Sequence, residues 1–239
     1  MAKKPSRRYT EASKLLEPKK RYSVTDAVSI LKKMPAGKSS KGNPSVDLSF
    51  HLGVDPKQSD QVVRGTVSLP HGSGKNVRVI VFAQGAAAEA AKGAGAVAVG
   101  YADLIKKVQD GWADFDVAVA TPDAMIEVRK LGKVLGPRGL MPNPKTGTVT
   151  EDTAKAVKEC QAGRVEFKID KGSNLHVSCG KLSFEGKALG ENVNAVIESV
   201  SRARPAGAKG KYLQNCVLSA TFSPGIPLAV AEAAAGSED

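Results

Sequence analysis

Residues 77–121 read VRVIVFAQGAAAEAAKGAGAVAVGYADLIKKVQDGWADFDVAVAT and give the clearest indication of the fold. They contain three short apolar runs, at 77–83, 96–100 and 116–121, of the kind that form strands buried on both faces of a parallel sheet. The segments between these runs, QGAAAEAAKGAG and YADLIKKVQDGW, are typical of helices. Strand–helix alternation at this spacing predicts βαβ units, and therefore a small, doubly wound, Rossmann-like domain.

The flanking segments have a different pattern, in which polar and apolar residues alternate. Strands are expected at 46–52 (VDLSFHL) and 64–69 (RGTVSL), and Ser23 is a suitable N-cap for a helix over 24–34. Beyond the middle segment, a helix is expected from Thr150 or Asp152 to Cys160, followed by RVEFKI and LHVSCG as the two strands of a hairpin. A long helix over 191–203 and a last strand over 212–223 complete the predicted elements.

Both flanks share this basic, α+β style, which predicts one discontinuous domain with a second domain inserted into it. The predicted fold class is α/β with two domains. Residues 1–67 and 160–228 are expected to form a two-layer α+β sandwich, and residues 68–159 the inserted Rossmann-like three-layer α/β/α domain. Residues 229–239 form an Ala-rich acidic tail that is expected to be frayed.

The charge balance indicates the class of partner. The chain of 239 residues has 35 Lys and Arg against 24 Asp and Glu, which gives a net charge of +11 and a pI near 9.6. This favours a nucleic acid or an anionic membrane surface over an acidic metabolite. No apolar run approaches the ~18 residues of a membrane span, and the basic N-terminus lacks the apolar core of a secretory signal. Three isolated cysteines fit a reduced, cytoplasmic setting.

The motifs of nucleotide-binding and catalytic proteins are missing. The glycines at 72–74 precede the strand at 77–83, whereas a dinucleotide fingerprint places them after it. A P-loop would need glycine at Leu69 and a hydroxyl residue at Asn76. The three histidines are scattered, and neither a GxSxG nor an HExxH motif occurs. We therefore predict no catalytic residues, no metal site and no cofactor.

The segment LGKVLGPRGLMPNPKTGTV, residues 131–149, has four glycines, three prolines and no acidic residue. It looks too broken for a helix and too positive to bury, which indicates a shaped basic loop. Lys133, Arg138 and Lys145 are candidates for a secondary contact with nucleic acid. The alternative is a rigid structural loop packed on its own domain, since glycine and proline serve turns in either case.

A second basic element is GRVEFKIDK, residues 163–171. Arg164, Glu166 and Lys168 are two residues apart in a candidate strand and so project from one face, with the apolar residues on the other. Lys171 follows directly. Basic side chains placed in this way can neutralise phosphates, which gives an affinity that falls steeply with salt. The alternative for this strand alone is a solvated outer face.

Several long, ordered motifs closely resemble the bacterial-type ribosomal protein L1 family. They are the segment 131–149, DLSFHLGVDPKQSDQVVRGTVSLPHGSGK, DVAVATPDAM, GRVEFKIDK and ENVNAVIESV, and they cover nearly the whole chain. The resemblance implies a two-domain protein of the large ribosomal subunit, in the cytoplasm and monomeric when free. Its first domain would bind large-subunit rRNA to form the mobile stalk beside the exit site for deacylated tRNA. The implied partners are this rRNA, exit-site tRNA, other ribosomal components and the protein's own messenger RNA, whose translation it would repress.

The resemblance also implies an RNA-contacting surface. Its residues in this chain are Lys41, Ser45, Arg164, Glu166, Lys168, Thr221, Phe222 and Ser223. Lys171, which follows the same strand, is a further RNA-binding candidate on its charge. Basic groups would position phosphates, while hydroxyls and backbone groups would address 2′-hydroxyls. Glu166 would accept from a 2′-hydroxyl or orient Arg164, or would serve only in an intraprotein salt bridge.

The chain departs from the family pattern in two places. Gly42 stands where the family has phenylalanine, and Phe222-Ser223 where it has Met-Gly, so Phe222 is a candidate for the stacking that Gly42 cannot supply. Two other functions stay open from the sequence: an enzyme that uses the inserted α/β domain for a nucleotide, and a non-specific DNA binder.

Overall fold

The computed structural model describes residues 5–34, 43–208 and 210–229, apart from the side chain of Lys145. Its contacts divide the chain into two compact units. Unit 1 combines the chain up to Gly74 with the chain from Val165 onward, and unit 2 is Lys75–Arg164. These divisions fall a few residues after the boundaries expected from the sequence, because the chain up to Leu69 still belongs to the core of unit 1.

The helices and strands are as follows. The helices are α1 (Arg7–Ser13), α2 (Val24–Lys33), α3 (Ala86–Gly93), α4 (Ala102–Gln109), α5 (Met125–Val128), α6 (Gly132–Leu135), α7 (Thr153–Gln161) and α8 (Gly186–Arg202). The strands are β1 (Ser45–Leu52), β2 (Arg64–Ser68), β3 (Val79–Phe82), β4 (Ala98–Gly100), β5 (Val117–Ala120), β6 (Arg164–Lys168), β7 (Asn174–Lys181), β8 (Leu213–Ala220) and β9 (Ile226–Pro227). Short 3₁₀ turns occur at Ser59–Gln61, Arg129–Leu131 and Pro144–Thr146.

Unit 1 is built on a four-stranded sheet in the order β7-β1-β8-β9, with β1 antiparallel to β7 and β8. The inward-facing residues of β1 are Val46, Leu48, Phe50 and Leu52, all at most 1% exposed. They share one core with α2 and α8, so this face of the sheet is covered and the opposite face is polar. Ser23 caps α2 by accepting from the amide of Asp26, as predicted.

Unit 2 is built on a parallel sheet in the order β4-β3-β5. Ile80 and Phe82 project from one face of β3 into a core with α4 and the 124–135 segment. Val79 and Val81 project from the other face into a core with α3 and α7. Helices therefore cover both faces, and the predicted mixed α/β class, with parallel and antiparallel sheets, is confirmed.

Two sequence-based expectations need correction. The hairpin of residues 164–180 exists only at its turn, where Ile169 and Leu175 form an isolated bridge. Beyond it the strands separate, since β6 pairs with β2 while β7 pairs with β1. The segment 131–149 is not free of helix, because α6 lies within it and both Leu131 and Leu135 are fully buried. Apolar residues four apart favour a helical turn here despite the neighbouring glycines.

In the part of the chain that the structure describes, no helix is long and apolar enough to cross a membrane. The predicted tail, residues 229–239, lies outside the described residues apart from Ala229.

Candidate nucleic-acid interface

One end of the unit 1 sheet gathers hydroxyl and cationic side chains around Ser45. Ser45 lies opposite Lys181 in the register of β1 and β7, and the Lys181 Nζ donates to Ser45 Oγ at 2.9 Å. On the other side of β1, the amide of Thr221 donates to the Ser45 carbonyl oxygen at 3.0 Å. The Thr221 hydroxyl donates to the same oxygen at 3.4 Å. Ser45 is therefore held between a lysine and a threonine. We call Ser45, Lys181, Thr221 and Phe222 the sheet-end cluster.

The turn that follows β8 presents an aromatic side chain. Phe222 has a φ of 67° and is 65% exposed, and the guanidinium carbon of Arg8 lies 5.4 Å from its ring centroid. The Ser223 hydroxyl accepts from the amide of Ala220 at 2.8 Å and donates to the Pro224 carbonyl at 3.0 Å. Ser223 thus fixes the turn, while Phe222 is left projecting from it.

The β6 residues have less exposed charge than the sequence suggests. Arg164 pairs with Glu159 at 2.7 Å and its side chain is only 18% exposed. A β-carbon at Gly147 would collide with the Arg164 guanidinium, so this glycine makes room for the arginine. Because Gly147 belongs to the 131–149 segment, Arg164 packs against that segment within unit 2.

The next two polar residues of β6 behave differently. Glu166 pairs with Arg64, whose Nη2 lies 2.6 Å from its Oε1, and this ion pair is the intraprotein role considered above. Lys168 is exposed and lies on the same face as Glu166, as the alternation of β6 predicts. Of the predicted β6 residues, Lys168 thus presents its charge to solvent most openly.

Lys171 lies at the other end of the sheet. It belongs to the turn between β6 and β7, three residues before Asn174. In the register of β1 and β7, Asn174 pairs with His51 at one end and Lys181 pairs with Ser45 at the other. The six residue steps from Ser45 to His51 correspond to about 20 Å of extended strand. The predicted site residues therefore form separate groups, not one compact cluster.

The polar face of the sheet lies between these two ends. Asp47, Ser49 and His51 project from β1 on the side opposite its buried residues. The Oγ of Ser49 lies 2.9 Å from Nδ1 of His176, and Nδ1 of His51 lies 3.0 Å from Oδ1 of Asn174. The alternation in VDLSFHL predicts this face, but the partners on β7 are 123 and 127 residues away in sequence. These side chains were not predicted as site residues from the sequence.

The turn that holds Lys171 is preorganised by Asp170. The backbone amides of Asn174 and Gly172 donate to its carboxylate, at 2.7 and 2.8 Å. These bonds to the charged form lower the pKa of Asp170 from its ordinary value.

The secondary candidates lie in unit 2. Lys133 and Arg138 are exposed, on a segment whose leucines are anchored in the core. The side chain of Lys145 and the whole of Lys41 lie outside the described residues.

One crevice of the α/β unit lies where a nucleotide would be expected. A crevice of about 240 Å³ lies beyond the carboxyl ends of β3 and β5, where doubly wound folds bind ligands. Asp123 and Glu151 line it, together with Gln84, Tyr101 and Thr121. Two carboxylates at this position oppose the binding of an anionic nucleotide.

The cysteines are not activated nucleophiles. Cys160, Cys179 and Cys216 are all buried. Burial raises the pKa of the Cys160 thiol and raises that of Cys216 to about 12. A raised pKa suppresses the thiolate, which is the reactive form. Among the described residues there is no group of three or more His, Cys, Asp or Glu placed to hold a metal ion.

Comparison with known proteins identifies the family. Residues 31–224 match the Ribosomal protein L1p/L10e family. The chain is 52% identical over 225 residues to the large ribosomal subunit protein uL1 of Kosmotoga olearia, which covers 94% of this chain and 96% of that protein. It is 51% identical over 228 residues to the uL1 of Kocuria rhizophila, which covers 95% of each. The uL1 of Lactobacillus delbrueckii subsp. bulgaricus is 52% identical over 94% of this chain and 96% of its own length. The chain therefore belongs to the ribosomal protein L1 family.

Proposed function

We propose that this chain is a constituent of the large ribosomal subunit and binds large-subunit rRNA through the sheet-end cluster of unit 1. Its relatives are named as large-subunit proteins and not as enzymes, which agrees with the absence of catalytic motifs from the sequence. The observation that supports this surface most strongly is the arrangement of Lys181, Ser45 and Thr221 beside the exposed Phe222.

This arrangement suits RNA better than DNA. A lysine ammonium attracts phosphate, and the serine and threonine hydroxyls can both donate to and accept from a 2′-hydroxyl. Asp47, Ser49 and His51 extend the same type of polar surface along β1. Lys168 and Lys171 add positive charge that positions the backbone without selecting a base.

The finer roles follow from the family resemblance. We propose that the bound rRNA segment forms the mobile stalk beside the tRNA exit site, and that the protein assists release of deacylated tRNA. Lys133 and Arg138 of unit 2 are the exposed residues available for a tRNA or stalk contact. We also propose that the chain represses its own translation by binding a similar fold in its messenger RNA.

The primary test measures binding of the full chain to a stalk fragment of large-subunit rRNA. Thr221→Val removes one neutral hydrogen-bonding group and should weaken binding about 2- to 12-fold. Lys181→Gln should lower the slope of log affinity against log salt by about 0.7–0.9. Lys57→Gln, which removes an exposed charge in the 55–58 turn remote from Ser45 along the strand, is the matched control.

The RNA preference has a separate test. The same fragment prepared as DNA should bind far more weakly at physiological salt. Equal affinity for the two would contradict the proposal and favour a non-specific nucleic-acid binder.

The tRNA and messenger roles are tested independently. Lys133→Gln with Arg138→Gln should slow release of deacylated tRNA from reconstituted ribosomes while rRNA affinity is unchanged. Thr221→Val should weaken rRNA and messenger binding in parallel if one surface serves both. Unchanged tRNA release would leave the 131–149 segment with a structural role only.

A further inference from the structure

The backbone of Phe222 is unusual for its residue type. Among the described residues, the non-glycine positions with left-handed φ are Lys19, Ser173 and Phe222, and Phe222 is the apolar one. A bulky side chain is disfavoured in this conformation. Its ring is 65% exposed, so burial does not offset the strain.

The surrounding turn enforces this conformation. On one side, the amide of Thr221 is bonded to the Ser45 carbonyl at 3.0 Å. On the other side, the amide of Ser223 donates to the Ala220 carbonyl at 2.9 Å, and the Ser223 hydroxyl accepts from the Ala220 amide at 2.8 Å. Hydrogen bonds on both sides of Phe222 therefore fix the direction in which its side chain leaves the backbone. Strained residues held in this way are often part of a binding device.

Helix α1 supplies a second component. Arg8 is half-buried, and its guanidinium lies over the Phe222 ring at 5.4 Å from the centroid. The helix that carries Arg8 is anchored by Ala12, which is fully buried in the unit 1 core, and by the N-cap Ser6, whose hydroxyl accepts from the amide of Tyr9. A cation over one face of an aromatic ring is attracted to it and restrains its orientation.

We propose that Phe222 is a stacking platform for one unpaired nucleobase of the bound RNA, with Arg8 behind the ring. The base would cover the face of the ring opposite Arg8, and the guanidinium charge would lie close to the neighbouring phosphates. Helix α1 is then part of the RNA-binding surface, although neither its place in the chain nor its pattern of apolar residues predicts this. The inference rests on the proposed function, and it specifies that the recognised RNA contains an unstacked base at this point.

The local chemistry favours a base over a protein partner. A single exposed aromatic ring is much smaller than an apolar protein-docking patch. Its neighbour in sequence, Thr221, is bonded to Ser45, which in turn is bonded to Lys181. The same set, an aromatic face beside phosphate-binding and ribose-binding groups, matches what a single unpaired nucleotide presents.

The first experiment couples the protein to the RNA. Each unpaired position of the stalk rRNA fragment is replaced in turn by an abasic nucleotide, and affinity is measured for the wild-type chain and for Phe222→Ala. One position should cost the wild type roughly tenfold in affinity, as expected for loss of one stacked base. The same RNA change should cost Phe222→Ala almost nothing. If Phe222→Ala lowers the affinity by the same factor for every abasic RNA as for the intact RNA, the ring and the base are not coupled. The stacking proposal is then wrong.

A second variant separates binding from folding. Phe222→Gly removes the ring and also suits the left-handed φ, so this variant should be at least as resistant to urea as the wild type. Its affinity for the RNA should nevertheless fall as far as that of Phe222→Ala. Retained affinity would overturn the proposal.

The role of Arg8 has a matched control in its neighbour. Arg7 is exposed on the same helix, and no ring contact is seen for it in the described structure. Arg8→Gln and Arg7→Gln remove the same charge, but only Arg8→Gln should be non-additive with Phe222→Ala. Strict additivity would mean that Arg8 acts only as a distant charge and would refute the two-part platform.

If the wild-type chain fails to bind the intact fragment, the proposed rRNA function itself fails, which is a different result from binding without coupling.

Discussion

Replacing Asn192 by alanine should destabilise unit 1 by about 3 kcal/mol. Asn192 lies on α8 and is completely buried. Its side-chain amide donates to the carbonyl oxygens of Cys179 at 2.8 Å and Gly72 at 3.1 Å. Its carbonyl accepts from the amide of His71 at 3.1 Å. One side chain thus joins a helix, a strand and the 70–74 turn.

The magnitude follows from what the substitution leaves unpaired. The Cys179 carbonyl is in the buried interior, and loss of its partner costs about 1–3 kcal/mol. The Gly72 and His71 groups are partly buried and can regain water, so each costs about 0.5–1.5 kcal/mol. Alanine is the better helix former and returns about 0.5 kcal/mol.

Urea unfolding with two separate probes measures this effect. Cys179 and Cys216 belong to unit 1 and Cys160 to unit 2, so pulsed thiol labelling resolved at Cys179 and Cys216 follows unit 1, while the fluorescence of Trp112 follows unit 2. Asn194→Ala is the control, because Asn194 is exposed on the same helix. This change gives the same gain in helix propensity without removing the buried hydrogen bonds of Asn192. A loss below about 1 kcal/mol relative to this control would refute the assignment of Asn192 as a required hydrogen-bonding link.

Three further predictions concern packing, thiols and pH. Gly65→Ala would place a β-carbon 2.7 Å from the buried ring of Phe167, and urea unfolding should show a loss of about 1–3 kcal/mol in the free energy of unfolding. An unchanged unfolding midpoint would mean that β2 and β6 can move apart at no cost. The three cysteines should react with a thiol reagent only as fast as the protein unfolds, because all are buried, and rapid labelling in native buffer would contradict this. Hydrogen bonds from the Arg78 amide and guanidinium lower the pKa of Asp116, so its contribution to stability is present at neutral pH and is lost as the pH falls below about 4. The difference in stability between wild type and Asp116→Asn, followed by Trp112 fluorescence, should therefore shrink on acidification.

Local sequence patterns predicted most of the helices and strands. The apolar spacing of α8 and the continuous apolar runs of β3 and β5 each specify one element and its buried face. Helix α1 was not predicted, because its one fully buried residue, Ala12, gives almost no apolar periodicity. Strand pairing is not local, and the separation of β6 from β7 depends on β2, about 100 residues earlier in the chain.

The candidate site shows the same limit. Ser45 and Thr221 were identified only through the family resemblance, and the bond from the Thr221 hydroxyl to the Ser45 carbonyl oxygen spans 176 residues of sequence. The ion pair of Arg64 with Glu166 spans 102 residues, so no spacing rule could indicate that this carboxylate already has a partner. Alternation in β1 places Ser49 and His51 on the polar face, but only the structure brings them next to His176 and Asn174.

The position of β1 has a consequence for synthesis of the protein. All three strands of unit 2 are encoded within residues 79–120, so its sheet can pair as soon as that part of the nascent chain has emerged. Strand β1 must wait for β7 and β8, and the Ser49–His176 contact alone requires 127 further residues. At about 5–20 residues per second, this delay is about 6–25 s. During that interval Leu48 and Phe50 have no sheet partners, so we expect this apolar strand to be open to non-native association until β7 and β8 emerge.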